Sequence, residues 1–199
     1  MQHRLGVKHF MTEAYPGLKG HFASLATSQS PSSLFITCSD SRVDPSLITN
    51  TQPGELFVLR NVGNMVPGFG RDAASAAVVE YAVTVLGVRR IMVCGHSNCG
   101  AMHGLLNPQG LAHISSVADW LEHAAPVREM LAEIPAEDRW DAAIRANVYY
   151  QIASLQTHPS VIRALEAGQL CIEGWVYDIA KGQIDFFGEV GTDTGIEAQ

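Results

Sequence analysis

The chain has 199 residues, 47% of them hydrophobic and 17% charged. That describes one domain of ordinary size with room for a substantial core, and it excludes a disordered, collagen-like or mucin-like polymer. Lys and Arg number 13 against 20 Asp and Glu, a net charge of −7 with no basic cluster, which excludes nucleic acid as a natural partner.

The opening segment, MQHRLGVKHFMTEAYPGLKG, has no apolar stretch followed by small residues at a cleavage site. No secretory leader is expected, the mature chain is expected to start near Met1, and the expected setting is cytoplasmic. Residues 2 to 27 read as a helical arm. The polar turn TSQSPSS leads into an apolar run, Leu34 to Cys38, expected as a buried strand. Asp44 before Pro45 signals a short helix to about Asn50, because the carboxylate caps free N–H groups and proline suits the first helical position. Gln52-Pro53-Gly54 marks a turn, and Leu56 to Arg60 a second strand. Asp72 opens an Ala-rich helix, apolar on most faces, that Gly87 closes. That apolar run, Ala73 to Val88, contains Ser75, Glu80, Thr84 and Gly87 and falls short of the roughly 20 apolar residues of a membrane span, so no membrane partner is expected.

Arg90 to Cys94 is a third strand. Two helices are expected between Ser115 and Leu155, the second with Trp140, Ile144, Val148, Ile152 and Leu155 on one stripe. Pro159 starts another helix that Gly168 ends. Residues 171 to 180 and 183 to 187, split by Lys181-Gly182, read as a hairpin. The order of elements predicts an α/β fold: a mostly parallel central sheet of about four to five strands flanked by helices, in a single domain spanning residues 1–190 with its amino-terminal arm, and a disordered tail over 191–199.

Sheets of this kind bind ligands at the carboxyl ends of their strands. Cys38 ends the first strand in C-S-D-S-R, and His96 and Cys99 follow the third in G-H-S-N-C-G, so two thiols and an imidazole arrive at one edge. That is a zinc ligand set, and three protein ligands leave one position open, as a catalytic zinc requires. Asp40 and Arg42 form a charge-assisted pair beside it. Held by Arg42, Asp40 accepts a hydrogen bond from zinc-bound hydroxide; released, it can close the site. Cys94 and Cys171 read as buried thiols, reduced in a cytosolic chain.

The strings C-S-D-S-R (Cys38 to Arg42), Q-P-G-E-L-F-V-L-R-N (Gln52 to Asn61), E-Y-A-V (Glu80 to Val83) and G-H-S-N-C-G-A-M (Gly95 to Met102) resemble β-class carbonic anhydrases. Thr157-His158-Pro159-Ser160 and Gly174-Trp175-Val176-Tyr177-Asp178 resemble most closely the bacterial branch found beside cyanate-degrading enzymes. The resemblance implies one Zn²⁺ per chain on Cys38, His96 and Cys99, with Asp40 and Arg42 as the catalytic pair. It implies that Gln29 donates a hydrogen bond to a CO₂ or bicarbonate oxygen. Phe57, Val62 and Tyr81 are then expected to narrow the pocket, and Gly100 to offer its backbone N–H to substrate. The implied reaction is reversible hydration of CO₂ to bicarbonate and a proton by attack of zinc-bound hydroxide. A homodimer or homotetramer is implied, with the cleft completed by the neighbouring subunit and the Ala-rich helix as a contact surface.

A subgroup of that family carries a regulatory bicarbonate site built on a Trp, an Arg and a Tyr. Here Phe35 stands at the Trp position, so that site is not expected, and Arg60 and Tyr177 are expected to be structural. Hydrolysis of a CO₂ analogue such as carbonyl sulfide is the rival reaction. A purely structural zinc module is the rival of another class, and it fits poorly with ligands at Cys38 and His96, 58 positions apart.

Overall fold

The first strand, β1 (Ser33–Cys38), is buried along its whole length, the pattern of a strand covered on both faces. It lies inside a five-stranded sheet whose other members are β2 (Leu56–Asn61), β3 (Arg90–His96), β4 (Cys171–Asp178) and β5 (Gln183–Gly191), in the order β2-β1-β3-β4-β5. Only β5 runs antiparallel to its neighbour. The computed structural model describes residues 2–192. It divides the chain into two compact units, Met1–Ser30 and Pro31–Gln199.

The amino-terminal unit is helical: α1 (Gln2–His9), a widened turn over Phe10–Ala14, and α2 (Tyr15–Leu25). Phe10, Tyr15 and Phe22 pack their rings on one another.

In the second unit the helix-start signals act as expected. Asp44 accepts the Leu47 N–H at 3.2 Å at the head of α3 (Pro45–Thr49). Asp72 accepts the Ser75 N–H at 2.7 Å at the head of α4 (Ala73–Glu80), whose last turns widen over Tyr81–Leu86 before Gly87 ends them at φ 65°. Next come α5 (Gly100–Leu106), α6 (Ser115–Leu121), α7 (Ala125–Met130), α8 (Arg139–Leu155) and α9 (Pro159–Glu166).

Where two helices were expected between Ser115 and Leu155 there are three. The apolar spacing Leu121, Ala124, Val127, Leu131 runs unbroken through the gap and all four are buried, so periodicity alone joins α6 to α7. The break is made at Pro126, which lacks an N–H and is tolerated only in a first helical turn. The expected hairpin is also longer than its pattern. Ile172 pairs with Val190 but Gly174 with Phe187, so β5 carries one extra residue at Gly188, at φ 65°. Past this bulge the pairing resumes, and Gly191, expected in the tail, pairs with Cys171. The rest of the expected tail, residues 193–199, lies outside the described residues.

Alternation along β1 and β3 divides the core. Leu34, Ile36, Ile91 and Val93 face Val148, Ile152 and Leu155 of α8, while Phe35, Met92 and Cys94 pack with Trp175 and Tyr177. The α8 stripe is buried as expected from Ile144 onward, with Trp140 36% exposed at its start. The helix comes this close because two strand positions facing it are glycines. A Cβ on Gly174 would lie 2.9 Å from both Val148 Cγ1 and the Phe187 carbonyl oxygen. Gly174→Ala is therefore expected to destabilise the fold by about 1–3 kcal/mol through overpacking, read as a lower urea midpoint with an unchanged slope.

His158, at the head of α9, is 2% exposed and its Nε2–H donates to the Pro67 carbonyl at 3.1 Å. Burial pushes this imidazole below its ordinary value of 6.5. The unfolded chain thus takes up a proton before the folded chain does, and stability present above 6.5 is lost as pH falls through the lower, folded value. His158→Gln, which keeps a donor for Pro67, is expected to flatten the fall in urea midpoint between neutral pH and about pH 5.

Candidate metal centre

In the strand order, β1 sends its chain outward to β2 on one side and β3 sends its chain outward to β4 on the other, so a crevice opens beyond the carboxyl ends of β1 and β3. Cys38 ends β1, His96 ends β3, and Cys99 precedes α5. Their ligand atoms all lie within 4.8 Å of one another, and all three residues are buried. His96 donates its Nδ1–H to the Ser97 carbonyl at 2.9 Å, which fixes the tautomer and turns Nε2 toward the thiols. Nε2 itself is buried and has no hydrogen-bond partner.

An orphaned imidazole nitrogen between two buried sulfurs is costly unless something binds there. Soft, deprotonatable donors at this spread fit tetrahedral zinc, with bonds of about 2.0–2.3 Å. The thiols are already unequal: a hydrogen bond from Cys99 holds Cys38 down at about 4 against the effect of burial, helped by His96 and the Gly63 N–H, while the same contact and burial push Cys99 up. Burial pushes the His96 imidazole down, but its interaction with the nearby Cys38 sulfur outweighs that and raises it.

Asp40 sits beside the trio, with Oδ2 3.7 Å from His96 Nε2. Arg42 grips it in a fork, Nε to Oδ1 at 2.9 Å and Nη2 to Oδ2 at 2.7 Å, and adds its backbone N–H to Oδ1 at 3.0 Å. These bonds hold the carboxyl well below the usual carboxylate range, so Asp40 is ionised around neutral pH. Arg42 is tethered in turn to the Asn98 carbonyl at 3.3 Å, a residue in the left-handed region at φ 54°.

Arg60, expected to be structural, is so in a way that serves the site: its guanidinium donates to the carbonyls of Cys38 at 3.2 Å and Asp40 at 2.8 Å. Phe35 is fully buried with its ring edge on Trp175, in the cluster that also holds Tyr177.

Val62 lies at the rim, 39% exposed, next to Gly63, whose N–H points at Cys38 Sγ at 3.4 Å. Gly100 opens α5 directly after Cys99 and is exposed. Phe57 and Tyr81 meet each other, ring centroids 5.9 Å apart, but within one chain they do not join the trio. Phe57 pairs with Leu34, four residues before Cys38 along β1, which the strand rise makes roughly 13 Å from the ligand end. By this register the two rings lie away from the trio of their own chain. Gln29 belongs to the amino-terminal unit, where it is exposed.

Sequence reasoning passed over the loop after β2. Asn61 closes it, its side chain giving and taking hydrogen bonds with Met65 at 2.6 and 2.7 Å. Asn147 and Gln151 of α8 then clamp it, reaching the Gly63 carbonyl and the Val66 N–H. The available signal was two amides, one helical turn apart, among the apolar residues of the α8 stripe.

A parallel sheet that presents two thiols and an imidazole at its switch point, with a locked carboxylate beside them, defines an α/β protein built around a metal centre. Residues 33–184 match the carbonic anhydrase family. A carbonic anhydrase of Pseudomonas aeruginosa is 53% identical over 184 residues, covering 90% of this chain and 84% of that protein. The structure of the β-carbonic anhydrase CcaA is similar with a TM-score of 0.90 at 36% identity, covering 98% of this chain and 93% of that one. A structure of tetrameric β-carbonic anhydrases from the filamentous ascomycete Sordaria macrospora gives a TM-score of 0.80 at 33% identity, covering 96% and 100%. This chain belongs to the carbonic anhydrase family, in its β class.

Proposed function

We infer that the chain is a zinc-dependent carbonic anhydrase that interconverts CO₂ and bicarbonate, with one Zn²⁺ per chain on Cys38, His96 and Cys99. The observation that carries this reading is the buried trio, with its orphaned imidazole nitrogen, beside a carboxylate locked by Arg42. The chemistry a bound zinc supplies is Lewis acidity, which makes water a nucleophile near neutral pH.

The chain's own residues do the rest. Asp40, ionised around neutral pH, accepts a hydrogen bond from the attacking water and so turns that oxygen's lone pair toward the substrate carbon. Arg42 keeps Asp40 from turning onto the metal position. Gly100 offers its N–H to a substrate oxygen, and Val62 supplies an apolar wall.

Phe57 and Tyr81 are assigned to the cleft of a neighbouring subunit. Their support is their remoteness from the trio of their own chain and the exposed apolar side chains on the turns of Tyr81–Leu86, with Tyr81 42% and Val85 63% exposed. The assembly is a homodimer or homotetramer, and a fully active monomer in sedimentation would contradict it. The setting is the reducing cytoplasm, which keeps Cys38 and Cys99 as thiols. Within the β class, the segments Thr157–Ser160 and Gly174–Asp178 favour the branch found beside cyanate-degrading enzymes.

The test is stopped-flow CO₂ hydration between about pH 6 and 9 on protein of measured zinc content. A rate far above buffer, in proportion to zinc, is expected. No rate above buffer at one zinc per chain would sink the reading.

A further inference from the structure

The peptide group joining Val62 to Gly63 is held from three directions. Its N–H points at Cys38 Sγ at 3.4 Å, and its C=O accepts the Trp120 indole N–H at 2.8 Å. The next carbonyl, that of Gly63, accepts Asn147 Nδ2–H at 2.9 Å, and Asn147 is itself oriented by Gln151 Nε2–H at 2.8 Å. Asn147 and Gln151 are each 1% exposed.

Gly63 has no freedom to drift. It sits at φ 81°, and a Cβ there would lie 3.1 Å from Ala101 Cβ. A peptide whose carbonyl is hydrogen-bonded is a better N–H donor, so the indole both aims and strengthens the bond to sulfur.

We propose that Trp120 and Asn147 are positioning residues for the metal centre, which fix the Val62–Gly63 peptide so that its N–H sets the donor strength of the Cys38 sulfur. This rests on the zinc reading above. Trp120 is 21 residues beyond Cys99 and on a different helix, and the hydrogen bonds of both side chains go to the backbone of this loop, so each acts through the peptide.

The experiment uses the full chain loaded with Co²⁺ in place of zinc, in the wild type, Trp120→Phe and Asn147→Leu. Trp120→Phe keeps a ring against His123, 5.3 Å away, and removes only the N–H and part of the volume. Losing the hydrogen bond makes the thiolate a stronger donor, so the thiolate-to-cobalt charge-transfer band is expected to move to longer wavelength in both variants. The loop beside Cys38 is no longer fixed, and this loss of order is expected to outweigh the stronger donor, so that zinc, in competition with a chromophoric chelator, is held about tenfold more weakly. Trp175→Phe, which removes an indole N–H bonded to Glu173 instead, is expected to change neither. Folded Trp120→Phe and Asn147→Leu proteins with the wild-type band and wild-type zinc affinity would overturn the proposal while leaving the zinc reading intact. A wild type that takes up neither ion would overturn the zinc reading itself.

Discussion

Arg42→Ala is expected to keep one zinc per chain and to lose about a hundredfold or more in kcat/KM for CO₂ hydration. The side chain supplies two of the three N–H groups that Arg42 places on Asp40, and the backbone N–H alone fixes one oxygen but not the plane of the carboxylate. Freed of the fork, Asp40 lies 3.7 Å from His96 Nε2 with nothing to stop it turning onto the metal position. The protein ligands are untouched, so metal content and activity separate. Removing Arg42 lets the Asp40 carboxyl rise toward its ordinary value of 3.8, still well below neutrality, so the loss is not one of ionisation and persists unchanged from about pH 6 to 9. A fully active Arg42→Ala protein would remove the orienting role assigned to Asp40.

Cys99→Ser has the opposite signature, with metal and activity lost together. Apparent zinc binding energies of about 10–16 kcal/mol, shared among the ligands of a site, put the thiolate at roughly 3 kcal/mol, more than a hundredfold in affinity. The backbone around the residue is held independently, because the Cys99 carbonyl accepts the Trp140 indole N–H at 3.2 Å and the His103 N–H at 3.1 Å. The variant is therefore expected to fold, to lose zinc on dialysis against a chelator, and to lose activity in proportion. Retention of zinc at the wild-type level would remove Cys99 from the ligand set.

The centre itself was legible because its chemistry is written in residue types that have few other reasons to converge: Cys38, His96 and Cys99 each follow a strand whose apolar run and capping signals stand clear of their neighbours. Boundaries failed where two signals competed. At Pro126 an unbroken apolar period outweighed one missing N–H, and at Gly188 a bulge let β5 continue past the point where its alternation stops. Phe57 and Tyr81 were legible as a pair, yet no local pattern states how far along β2 a residue sits from the end of β1. Asn147 showed in the sequence only as an amide on an apolar stripe and Trp120 not at all, since both bond to backbone atoms of a loop whose path depends on α6 and α8 being packed beside it.

Because Cys38 and the pair His96 and Cys99 come from strands whose connection runs through α3, β2 and α4, no fragment of the nascent chain shorter than about half its length can assemble the full coordination set. Full coordination of one ion is thus deferred until β1 and β3 have paired side by side.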